Sequence, residues 1–144
     1  MRRYRDSARA PGGFMIKSIP IRDIPPCNIK HYRKREGRCY AMGFDFILDN
    51  TDEWTLVHAT LFPPEGPIKR LSHCFAENDK IVFDPDFNQF FDKEWYYLYY
   101  SITDAHKYKG KEAAMQLLKN HNYGPWYDNP PDQVRTGFTL IEYE

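Results

Sequence analysis

Cysteine is scarce in this chain. The three present, Cys27, Cys39 and Cys74, cannot all pair with one another, which argues against a small disulfide-stapled fold. Long apolar runs are also missing: none approaches the roughly 18–20 residues that span a bilayer as a helix, so no membrane is expected. The opening segment, MRRYRDSARAPGGF, has charge but no apolar stretch, and it does not read as a secretory signal. A reducing cytosol is the expected setting. Internal repeats, low-complexity tracts and paired C-x2-C knuckles are lacking as well.

Net charge is absent from the chain as a whole, with 20 Lys and Arg against 20 Asp and Glu. Its distribution is uneven. Residues 1–39 hold 11 basic and 3 acidic side chains, a balance of +8, and residues 40–144 hold 9 and 17, a balance of −8. A basic region of this kind can complement an acidic body or dock an acidic protein. The acidic remainder opposes phosphate, so nucleic acid is disfavoured as a partner.

Hydrophobic residues make up 42% and aromatics 17% of the 144 residues, enough for one folded domain with a core. Residues 1–13 read as a basic arm, and 14–144 as a single α+β domain. A short edge strand followed by extended chain is expected in the proline-broken FMIKSIPIRDIPP. Tyr40, Phe44, Ile47 and Leu48 fall on one helical stripe, predicting a helix over 39–49 with Cys39 in its first turn. Gly43 weakens that helix by about 1 kcal/mol relative to alanine. Strands are predicted over 53–62, 68–77, 80–87, 94–102 and the C-terminal RTGFTLIEYE. A second helix is predicted over 110–121, with Ala113, Ala114, Leu117 and Leu118 facing inward. The sum is a helix packed on an antiparallel sheet of about five strands.

Asn78-Asp79 is the candidate two-residue hairpin loop. It would pair Glu77 with Lys80, Phe75 with Val82 and His73 with Asp84. Direct cross-strand partners have Cβ atoms about 4.5–5.5 Å apart on one face, so the Asp84 carboxylate can accept from the His73 imidazole. A thiol at a helix start is a fitting target for such an oriented histidine. The positive end of the helix and the flanking Arg35 and Arg38 favour a thiolate at Cys39. Cys39 as nucleophile, His73 as base and then acid, and Asp84 as orienter make a thiol triad. The Cys39 amide is a candidate oxyanion donor. Arg38, Tyr40, Trp54, His58 and Trp126 are candidates for holding substrate or an oxyanion.

The stretches GRCYAMGF, LSHCFAEND and IVFDPDF, spread over residues 37–87, resemble the transglutaminase-like branch of the papain-like thiol hydrolases. They give a cysteine opening a helix, a histidine on a strand and an aspartate on the next. The resemblance implies an α+β core and acyl transfer from a peptide or protein amide through a thioester, with no cofactor.

Competing readings are blander. His58 reads as a sheet histidine beside the site, Cys74 as core on the face opposite His73, and Cys27 as a loop residue. A zinc set of Cys27, His31 and Cys39, completed by His73 or Cys74, matches no established ligand spacing, so no metal is expected. Trp126 either covers a core edge or walls a groove. The run EWYYLYYSI reads as core strand, with Tyr96, Leu98 and Tyr100 on one face. A non-catalytic interaction module on the same fold, binding an acidic protein or nucleic acid through the basic N-terminal region, is the alternative to an enzyme.

Overall fold

The computed structural model describes residues 18–32, 38–128, 130 and 134–135. The expected basic arm over 1–13 and almost all of the predicted C-terminal strand lie outside the described residues. The order of elements is β1 (Ser18–Ile19), α1 (Cys39–Asp49), β2 (Thr55–Leu61), β3 (Ile68–Glu77), β4 (Ile81–Asp84), β5 (Gln89–Asp92), α2 (Lys93–Tyr99), β6 (Thr103–Tyr108), α3 (Gly110–Asn120) and β7 (Val134–Arg135). The fold is α+β. Its antiparallel sheet runs β1-β5-β4-β3-β2-β6, and β7 pairs with the outer end of β3. No helix among the described residues is long and apolar enough to cross a membrane.

The central hairpin, β2 with β3, pairs without interruption from Thr55–Glu77 to Leu61–Leu71. Alternation then sends side chains to two separate cores. On one face, α1 and α3 cover Leu56, Cys74, Ala76 and Phe83 with Phe44, Phe46, Ile47 and Ala113. On the other, α2 covers Val57, Ala59, Phe75 and Val82 with Trp95 and Tyr96. Helix α1 buries Met42, Gly43 and Phe46 in addition to the expected Phe44 and Ile47, whereas Leu48 is exposed. Gly43 explains its own presence. A Cβ there would sit 2.6 Å from Cys74 Sγ and 3.3 Å from Leu56 Cδ1, so glycine lets α1 lie directly on β3 and β2. In α3, Ala113 is buried as expected, but Leu118 points to solvent.

The aromatic run corrects the sequence reading. It is not a strand over 94–102 but the helix α2, followed by a turn. Asp92 caps the helix by accepting from the Trp95 amide at 2.9 Å. Helical spacing then stacks Trp95 on Tyr99 and Tyr96 against Tyr100, and leaves Leu98 exposed. The tertiary setting overrides the β-propensity of aromatic residues.

The register of the β3–β4 hairpin is a second correction. Glu77 pairs with Val82 and Ala76 with Phe83, not Glu77 with Lys80. The Asn78 side chain sets this turn, its Oδ1 accepting from the Lys80 and Ile81 amides at 2.9 and 2.8 Å. The loop is therefore Asp79-Lys80, one residue later than expected, and every rung moves by two. Because the shift is even, side chains keep their face. His73 and Asp84 become diagonal neighbours instead of direct partners.

Candidate active site

Asp84 ends β4 and uses both carboxylate oxygens. Oδ1 accepts from the Asp86 amide at 2.9 Å, which shapes the turn into β5. Oδ2 accepts from the Tyr96 hydroxyl at 2.6 Å and lies 3.2 Å from His73 Nε2. All three side chains are buried: His73 is 3% exposed, Asp84 1% and Tyr96 0%. The pair is thus an oriented imidazole on a fixed carboxylate, with the carboxylate tied to α2.

Their electrostatics follow from burial and pairing. Burial alone would lower the His73 pKa, but the Asp84 charge, the nearby Cys39 sulfur and hydrogen bonds to both outweigh it and hold the imidazole well above its ordinary value. Burial would raise the Asp84 pKa. The His73 charge and hydrogen bonds from His73, Tyr96 and the Asp86 amide prevail, and the carboxyl is held below its usual range.

Cys39 reaches this pair from the opposite face of the sheet. Ladder pairing between β3 and β4 is confined to Ala76–Phe83 and Glu77–Val82, so the strands part beyond these rungs. There the first residue of α1 meets the imidazole. The Cys39 sulfur, a His73 ring nitrogen and an Asp86 oxygen lie within 4.8 Å of one another. Arg38 precedes the helix without a side-chain cap, and the first-turn amides have no helical acceptors, which leaves the positive helix end beside the sulfur. The thiol is 9% exposed. A cleft of about 270 Å³ opens onto His73, Asp84 and Asp86, walled by Leu61, Pro63, Leu71, Phe87, Tyr99 and Tyr100 among others. A larger depression of about 770 Å³ over Asp79, Lys80, Asp92, Lys93, Glu94, Tyr97 and Leu98 has no cysteine or histidine among its described lining residues.

Of the remaining sequence candidates, Tyr40, His58 and Trp126 pack together around the His58 ring. Arg38 is exposed and lies 5.5 Å over the Tyr32 ring. The Tyr40 hydroxyl bonds Ser72, which in turn lies 3.3 Å from the Tyr127 hydroxyl. Trp54 is core, packed on Phe46 and Phe90. Trp126 covers a core edge over Phe44, His58 and Tyr108. His58 is fully buried among Tyr40, Tyr108 and Trp126, and neither ring nitrogen has a hydrogen-bond partner. Burial and the neighbouring His106 lower its pKa to about 3. It packs so closely on Gly124, whose φ is +112°, that a Cβ there would stand 2.5 Å from its ring. None of these five lines the His73 cleft among its described residues. Cys74 is buried on the α1 face as expected. Cys27 packs on that same core.

Sequence reasoning missed two members of the site. Tyr96 was placed on a strand, and its proximity to Asp84 depends on α2. Asp86 falls inside the strand predicted over 80–87 and is given no role there, whereas it lies in the turn that follows β4. Continued past the end of β4, the observed register sets His73 opposite Asp86, and their closest ionic atoms are 3.7 Å apart. The signal was Asn78, whose side chain favours a turn that begins at its own position.

No known protein family matches the chain, and no curated protein or solved structure matches it.

Proposed function

We propose that the chain is a thiol-dependent acyl-transfer enzyme of the transglutaminase-like kind, working in a reducing cytosol on a peptide or protein amide. One observation carries this reading. An imidazole fixed on a buried carboxylate stands beside the thiol that opens a helix. In the proposed cycle the Cys39 thiolate attacks the amide carbonyl carbon. The helix-start amides, that of Cys39 first among them, stabilise the oxyanion. His73 delivers its proton to the departing amine, leaving a thioester on Cys39. Water or an acceptor amine, deprotonated by the now neutral His73, then attacks the thioester and releases the Cys39 thiolate, which restores the thiolate beside the protonated imidazole. Asp84 holds the imidazole in place and supports its charged form. No cofactor enters the cycle.

A substrate-independent test uses p-nitrophenyl acetate. Thiolate attack expels p-nitrophenolate and leaves an acetyl thioester, read as a hydroxylamine-labile mass shift on the peptide containing Cys39. Cys39→Ala should abolish the adduct and His73→Ala should slow its formation at least tenfold. Equal acetylation of Cys27 and Cys39 would contradict the reading. The burial of Cys39 is what favours the second reading, an interaction module whose basic N-terminal region docks an acidic protein.

A further inference from the structure

The His73 imidazole belongs to a second grouping besides its pair with Asp84. A sulfur, a ring nitrogen and a carboxylate oxygen from Cys39, His73 and Asp86 lie within 4.8 Å of one another, and Asp86 stands 3.7 Å from His73 Nδ1. From this we infer that Cys39, His73 and Asp86 form a binding site for a zinc-class divalent cation, and that an ion bound there caps the thiol and halts its chemistry. The regulatory half rests on the thiol-enzyme reading. The metal site itself needs only the three ligands.

The donor set is one soft sulfur, one imidazole and one carboxylate, which suits zinc better than the hard, oxygen-seeking ions. In a tetrahedral zinc centre such donors stand roughly 3.3–3.6 Å apart. Closing the observed spacing therefore takes side-chain movements of about an ångström, not a new backbone path. The imidazole is already aimed. Asp84 holds Nε2 at 3.2 Å and leaves Nδ1 for the ion, and a carboxylate behind a ligating histidine is the usual support of a zinc site. Asp84 is itself fixed by Tyr96 and by the Asp86 amide. The cleft of about 270 Å³ reaches His73 and Asp86, giving the ion an entrance and its fourth coordination position a water. A sulfur lone pair donated to zinc is withdrawn from attack on a carbonyl.

The test begins with full-length, chelator-treated protein titrated with cobalt(II). One ion per chain should bind, with a thiolate-to-cobalt charge-transfer band that zinc then removes by displacement. Asp86→Asn should weaken binding at least tenfold, and Cys39→Ser should eliminate the band. Asp79→Asn, in the exposed β3–β4 turn, should change neither. Stoichiometric zinc should slow iodoacetamide labelling of Cys39 at least tenfold, a readout on the wild type that needs no variant to fold. Absence of the band, a band undiminished in folded Asp86→Asn, or labelling indifferent to zinc would overturn the proposal. A cobalt band together with a sluggish metal-free thiol would keep the metal site and remove the enzyme. A fast metal-free thiol with no band would do the reverse.

Discussion

His73 and Asp84 meet across a diagonal of the β3–β4 hairpin, with Nε2 and Oδ2 3.2 Å apart. The Tyr96 hydroxyl donates to the same oxygen from α2, so three elements converge on one carboxylate. That convergence makes the pair rigid in a part of the sheet where ladder bonds have ended.

Tyr96→Phe removes one donor from a buried, charged acceptor and changes nothing else in shape. The cost should be roughly 1–3 kcal/mol of folding stability, measured by urea denaturation at neutral pH. A loss well under 1 kcal/mol would show that water replaces the hydroxyl.

Gly43→Ala should destabilise, against helix propensity. Propensity favours alanine by about 1 kcal/mol, but the new Cβ would fall 2.6 Å from Cys74 Sγ, and overpacking typically costs about 1–3 kcal/mol. A lower melting temperature is expected, with part of the loss recovered in the double variant Gly43→Ala/Cys74→Ala.

The two buried histidines should bend the pH–stability curve in opposite senses. His58 has its pKa lowered from 6.5 to about 3 by burial, so the fold prefers it neutral. Its stability is present above pH 6.5 and lost as pH falls toward 3, with a slope of about 1.4 kcal/mol per pH unit. His58→Leu should flatten that acid limb. For His73 the folded pKa is raised. Its contribution is fully present below 6.5 and lost as pH rises through the folded value, so His73→Asn should flatten the alkaline side. Asp84, held low, adds a loss only as pH drops through its folded value below 3.8. Urea titrations across pH check the limb slopes, and unchanged slopes in both variants would refute the assignments.

Much of the fold was legible where pattern and setting agreed. Helix α1 and strand β3 occupy their expected ranges, 39–49 and 68–77: α1 carries an apolar stripe at helical spacing, and β3 is bounded by the proline-rich loop before it and the Asn78 turn after it. The core strands β2 and β4 were recognised with their ends displaced. The polar edge strand β6, TDAHKY, has no apolar period to detect and is mostly exposed. Helix α2 was hidden by the β-propensity of its own aromatics, although the Asp92 cap was readable. At the site, the pairing of His73 with Asp84 came from a register two residues off, and only parity preserved it. Asp86 and Tyr96 depend on the turn and the helix that were misread, so they could not be found from the hairpin alone.

The central claim is that the Cys39 thiol is activated by its neighbours, and its alkylation rate tests this most directly. Wild-type protein, freed of metal, is treated with iodoacetamide at neutral pH and each cysteine is followed by mass spectrometry. Cys39 should label at least tenfold faster than the half-buried Cys27 or the buried Cys74. His73→Ala should slow Cys39 strongly and Asp84→Asn less, since Asp84 acts through the imidazole. If Cys39 labels no faster than Cys27, or only after denaturation, the thiol is a core residue and the enzyme reading fails.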